Sequence, residues 1–237
     1  MLAAGIPARS AVPLTTNPVS PIWHPSPNFG PRRDGLMPSL IVLHYTAMNG
    51  AQAALHRLCD PAYEVSAHYL IGADGTLWQM VDEKDRAWHA GAGSWHGQTD
   101  INSRSIGIEL DNTGTHPFPE PQLTVLDRLL TQTMARWSIS PDRVIGHSDM
   151  APGRKIDPGP RFPWQRLEYL NLAGQRGRNN DPQCASMRTF RTLVENAGFP
   201  PDVDDETLLA AVRLRYRPWA NGPLAPADFV PLTSKFR

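Results

Sequence analysis

Leu40-Ile-Val-Leu-His44 is four consecutive aliphatic residues closed by an imidazole. A run this short and this apolar reads as a strand covered on both faces, which delivers its last side chain to the rim of a sheet. Further along, His147-Ser-Asp-Met-Ala-Pro-Gly-Arg-Lys-Ile-Asp157-Pro-Gly-Pro160 sets a histidine, a lysine and an aspartate on backbone too rich in proline and glycine for a helix. Such backbone presents side chains into a cleft. Imidazole and carboxylate are good Zn²⁺ ligands, and a nearby ammonium stabilises a developing oxyanion. His44, His147 and Asp157 therefore make a candidate set of two histidines and one carboxylate, with the fourth position open to water. Pro158 pushes Asp157 towards extended backbone and fixes where its carboxylate points. Lys155 emerges on the same side and is the candidate ammonium for that oxyanion; a solvated surface amine is the alternative for a lysine read alone.

Other segments predict a sheet mixed with helices. Tyr69–Ile71 and Leu77–Val81 flank Ala73-Asp74-Gly75, an Asp-Gly hairpin signal. Ala51–Leu58 reads as a short helix and Ile106–Leu110 as a strand. Pro121–Trp137 repeats Leu123, Leu126, Leu130, Met134 and Trp137 at a helical period. The implied architecture is α/β, a central mixed β-sheet flanked by helices. Residues 1–38 hold eight prolines and read as an N-terminal arm that packs through Ile22, Trp23 and Phe29; residues 39–174 form the main domain. Ala173–Asp181 is a polar linker to a small C-terminal helical bundle, residues 181–237, with helices at Ser186–Ala197 and Asp205–Tyr216 and a shorter one near Pro226–Ser234.

Length and charge bound the function. The chain's 237 residues hold one catalytic domain and a small appendage. Lys and Arg total 23, as do Asp and Glu, so no charge excess points to nucleic acid or an anionic membrane as partner. Cys59 and Cys184 read as two reduced thiols. No stretch is long enough to span a bilayer, and Pro7, Pro13 and Pro18 interrupt any apolar core of a leader within Met1–Val19. The expected compartment is the cytoplasm, with the periplasm second.

Five segments occur in an order that resembles the zinc-dependent N-acetylmuramoyl-L-alanine amidases, the anhydro-muramyl branch above all: Ile41–Thr46, Val65–Ile71, Ala87–Gly91, Asn102–Leu110 and Gly146–Pro160. The resemblance spans roughly Leu40–Leu172 and implies the fold shared with phage lysozyme-type amidases and peptidoglycan recognition proteins. Asn196–Pro218 resembles the helical peptidoglycan-binding domain that follows the amidase in some relatives. The resemblance strengthens the assignment of one Zn²⁺ to His44, His147 and Asp157, and implies hydrolysis of the amide between N-acetylmuramic acid, expected in its 1,6-anhydro form, and L-alanine of the stem peptide. The expected partner is a muropeptide or peptidoglycan.

Glu109 sits where the family has its catalytic glutamate, and a carboxylate in so apolar a strand is costly without a task. It is the expected general base, with a buried structural ion pair as the alternative; Gly107 is expected to leave room beside it for substrate. Trp88 and His89 are expected on a loop at the cleft wall, the indole stacking on sugar rings and His89 touching substrate. A packed Trp and a hydrogen-bonded His are the other reading of the pair. Asn102 is a further candidate for binding peptide or sugar, whereas His68 reads as structural because a fourth protein ligand would close the site to water. The competing function is a peptidoglycan-recognition module without catalysis on the same fold; a protease is disfavoured because the helical zinc motif is missing.

Overall fold

The computed structural model describes residues 18–178 and 186–233. Cys184 and the end of the expected linker lie outside the described residues. The strands are β1 Ile22–Trp23, β2 Phe29–Pro31, β3 Leu40–Tyr45, β4 Tyr69–Ile71, β5 Leu77–Gln79, β6 Asp85–Ala87, β7 Ser105–Leu110 and β8 Val144–Gly146. The helices are α1 Ala51–Cys59, α2 Ile101–Arg104, α3 Glu120–Trp137, α4 His147–Met150, α5 Trp164–Tyr169, α6 Met187–Asn196, α7 Asp205–Tyr216 and α8 Pro226–Phe229.

Six strands form one mixed sheet in the order β1-β5-β4-β7-β3-β8, and β2 and β6 form a separate antiparallel pair. β4, β7, β3 and β8 run parallel, while β5 returns antiparallel to β4 through the expected hairpin. Asp74 makes that turn: its carboxylate accepts the Thr76 N–H at 2.9 Å, and Gly75 takes φ +88°, which favours glycine.

Pleating divides β3 between two cores. Ile41 and Leu43 enter a cluster with Leu126 and Leu130 of α3 and Leu167 of α5. Leu40 and Val42 point the other way, into a cluster with Ile145, Phe190 and Val194 of α6, and Leu208 and Val212 of α7. All four aliphatic side chains of the strand are fully buried, each worth roughly 1.5–3 kcal/mol of transfer free energy, which makes β3 the middle layer of the molecule. α3 buries Leu123, Leu126, Leu129 and Leu130 at the expected period and stops where Ser138 turns left-handed at φ 54°. α6, α7 and α8 match the expected C-terminal helices, and their apolar residues share that second cluster with the sheet.

The segment 18–38 docks differently from expectation. Ile22, Trp23 and Phe29 stay 46–56% exposed, so these three side chains are not what holds it, although Val19 packs against the main core cluster. β1 pairs with β5 and β2 with β6 through backbone, and buried polar groups do the rest. Asn28 donates to the carbonyls of Asp60 and Val65, and the Arg32 guanidinium to those of Glu83, Ser103 and Ser105. No helix among the described residues is long and apolar enough to cross a membrane.

Candidate active site

Parallel strands align their C-terminal ends, and the adjacency β7-β3-β8 places three functional side chains at one edge. His44 of β3 lies in register with Glu109 of β7, so both project from the same face, and β8 runs directly into His147 at the start of α4. His147–Met150 thus forms one helical turn where the sequence predicts irregular loop; the Asp149 carboxylate stabilises it by accepting the Gly146 N–H at 2.8 Å. Turns follow to Asp157, whose carbonyl accepts the Ser148 N–H at 2.9 Å and so ties the loop back against α4.

The result is a tight convergence. His44 Nδ1 lies 2.9 Å from both His147 Nδ1 and Asp157 Oδ2, and His147 Nδ1 lies 3.1 Å from that oxygen. All three side chains are buried. Burial, then the neighbouring His147, lowers the His44 pKa to about 4, so the ring is neutral at pH 7. Burial works to raise Asp157, but the facing His147 and His44 imidazoles outweigh it and hold the carboxyl well below its usual range, so it is ionised. His147 Nε2 stands 2.8 Å from the Ala90 carbonyl, a contact that requires a proton on Nε2, so the tautomer it selects is the one whose Nδ1 can ligate. A bare imidazole nitrogen facing a carboxylate oxygen suits a cation, and two neutral nitrogens with one carboxylate oxygen are a donor set that Zn²⁺ accepts.

These groups line the wall of a cleft of about 570 Å³ shared with Trp88, His89, Glu109 and Lys155. Glu109 Oε2 is buried and accepts no hydrogen bond from the described residues. Burial, then the Asp157 charge, raises its carboxyl to about 8 against the opposing pull of Lys155. No ion pair is recorded for Glu109 among the described residues, so the buried-salt-bridge reading has no support. Lys155 is exposed, and its ammonium likewise makes no hydrogen bond or ion pair there.

Other candidates land elsewhere. Gly107 leaves no room for substrate: a Cβ there would meet the His89 ring at 2.5–2.7 Å, so imidazole fills the space. Asn102 is buried and absent from the cleft wall, and its Oδ1 accepts the backbone N–H groups of His89 and Ala90 at 3.0 and 2.8 Å. His68 is fully buried, accepting from Gly107 N through Nδ1 and meeting the Asp85 carbonyl through Nε2, as a structural histidine should. Arg57 of α1 lines the cleft and stacks 4.3 Å over Tyr63. The helical pattern of α1 marks Arg57 only as solvent-facing; that this face borders the cleft is a tertiary fact.

A profile of the N-acetylmuramoyl-L-alanine amidase family matches residues 34–160. N-acetylmuramoyl-L-alanine amidase AmiD of Escherichia coli is 42% identical over 149 residues, 56% of this chain and 53% of that one, so the match spans about half the length of that relative. The 1,6-anhydro-N-acetylmuramyl-L-alanine amidase AmpD of Haemophilus influenzae is 36% identical over 164 residues, 62% of this chain and 88% of that one. The structure of Escherichia coli AmiD with the substrate anhydro-N-acetylmuramic acid-L-Ala-D-gamma-Glu-L-Lys superposes with a TM-score of 0.71 at 31% identity, covering 84% of this chain and 89% of that one.

Proposed function

The chain belongs to the N-acetylmuramoyl-L-alanine amidase family, and from that premise we propose that it hydrolyses the amide joining N-acetylmuramic acid, in its 1,6-anhydro form, to the L-alanine of a stem peptide during peptidoglycan recycling or turnover. The convergence of His44 Nδ1, His147 Nδ1 and Asp157 Oδ2 is the observation that carries the proposal. These residues would hold one Zn²⁺, which when bound supplies Lewis-acid polarisation of the scissile carbonyl and of the attacking water.

The protein's own groups do the remaining work. Glu109 presents an unpartnered carboxylate oxygen in the same cleft, suited to take a proton from water as it attacks and to pass it to the departing amine of L-alanine. The Lys155 ammonium, which lines the cleft and has no ion-pair partner among the described residues, can approach the oxyanion that forms at the carbonyl. Half-buried Trp88 offers an aromatic wall for the sugar, and His89 lines the cleft beside it. Relatives named for action on anhydro-muramyl compounds, and one solved with such a substrate, support the substrate class.

The test is mass analysis of products from soluble anhydro-muropeptides beside those from intact sacculi. Release of peptides beginning with L-alanine, abolished by chelation and restored by zinc, is expected. Zinc-loaded protein that binds muropeptide and releases nothing would instead make this a recognition module.

A further inference from the structure

Ser105 Oγ donates its one proton to the Ile101 carbonyl at 2.6 Å. Towards His89 Nε2, 3.2 Å away, the hydroxyl therefore acts as acceptor, and that nitrogen must carry the hydrogen. The neutral His89 ring is then bare at Nδ1, which stands 3.0 Å from His44 Nε2. His44 donates across this contact, and its own Nδ1 is left unprotonated where it meets His147 Nδ1 and Asp157 Oδ2. The next residue treats the other histidine likewise, since the Ala90 carbonyl takes the proton of His147 Nε2.

Two further contacts fix this dipeptide in place. Asn102 Oδ1 accepts both of its backbone N–H groups. Gly107 lies against the His89 ring, close enough that any side chain there would displace it. We infer that His89-Ala90, pegged by Asn102 and backed by Ser105 and Gly107, positions the metal centre by setting the tautomer of both imidazole ligands. His89 and Asn102, expected from sequence to bind substrate, become positioning residues. The inference rests on the metal reading of His44, His147 and Asp157.

Outer partners of this kind typically change metal affinity by about 10–100-fold when removed. The experiment measures Zn²⁺ affinity of the full chain by competition with a chromogenic chelator, for wild type, His89→Ala, His89→Phe and His89→Asn. Phenylalanine keeps the bulk against Gly107 but offers no acceptor, whereas the asparagine carbonyl can occupy the place of Nδ1. His89→Ala and His89→Phe should bind zinc 10–100-fold more weakly than wild type, with His89→Asn recovering most of the loss. His89→Phe binding as tightly as wild type would overturn the inference, since packing alone would then suffice. A second measurement needs no variant: long-range ¹⁵N–¹H correlations of the imidazoles in metal-free wild type should show His44, His89 and His147 each protonated at Nε2. A proton on His44 Nδ1 would also overturn it. Wild type that binds no zinc at all sinks the metal reading itself, a distinguishable result.

Discussion

Glu109 keeps one carboxylate oxygen buried and without a hydrogen-bond partner among the described residues, an arrangement that costs stability and is retained where chemistry needs it. Glu109→Gln is nearly isosteric and accepts no proton, so it should bind zinc normally yet turn over about 10²–10⁴-fold more slowly; single-turnover rates at matched zinc content check this. The same carboxyl gives the metal-free protein a pH signature. Its pKa lies near 8 in the folded state against 4.5 in the reference state, so the native state holds the proton more tightly. The stabilisation this confers is complete below pH 4.5 and is lost as pH rises through 8. Melting temperatures of metal-free wild type should therefore fall relative to Glu109→Gln across that window. Parallel curves would mean that the carboxyl is not perturbed. Alanine at His44, His147 or Asp157 should abolish both stoichiometric zinc and turnover, read by metal analysis beside the product assay.

At the scale of elements, α7 is tied to the turn that carries His147. The Arg215 guanidinium pairs with the Asp149 carboxylate, with side chains 4% and 0% exposed, donates to the Val144 carbonyl and lies 4.0 Å over the Trp164 ring. Asp149 in turn holds Gly146 N–H, one residue before the ligand. Removing one partner of a buried ion pair strands the other charge, at a cost of about 3–5 kcal/mol. Arg215→Met should lose that much in denaturant titrations, and adding Asp149→Asn should recover part of it by neutralising the stranded carboxylate. A loss below about 1 kcal/mol would show that water reaches the site and screens it.

Across the whole molecule, the C-terminal helices cover Leu40, Val42 and Ile145 on one face of the central sheet. Deleting residues 181–237 should uncover that face, and the truncated chain is expected to aggregate or bind a hydrophobic dye, because an exposed apolar patch of this kind is an association surface. If the truncated chain instead stays folded and hydrolyses soluble anhydro-muropeptide as the full chain does, the helices are a separable wall-binding appendage. Sedimentation with insoluble peptidoglycan distinguishes that role.

Local pattern was enough for the elements. The aliphatic run at Leu40–Leu43, the Asp74-Gly75 turn, the leucine period of α3 and the two C-terminal amphipathic helices are set by side-chain periodicity and turn chemistry within a few residues of each other, and they read directly from the chain. The metal-binding candidates could be named from the chain only with the help of the resemblance, because ligand chemistry alone leaves His44 readable as a core histidine and Asp157 as a turn residue before Pro158. What Gly107, His89 and Asn102 do was not legible. Their partners lie 12 to 45 residues away, and only the register of β7 beside β3 shows that the space left by a glycine is filled by an imidazole. The docking of 18–38 was hidden for a related reason: backbone pairing and carbonyl contacts to Arg32 leave no mark on hydrophobic pattern. Periodicity reports which face of an element is buried, whereas what that face meets is decided by the order of strands in the sheet.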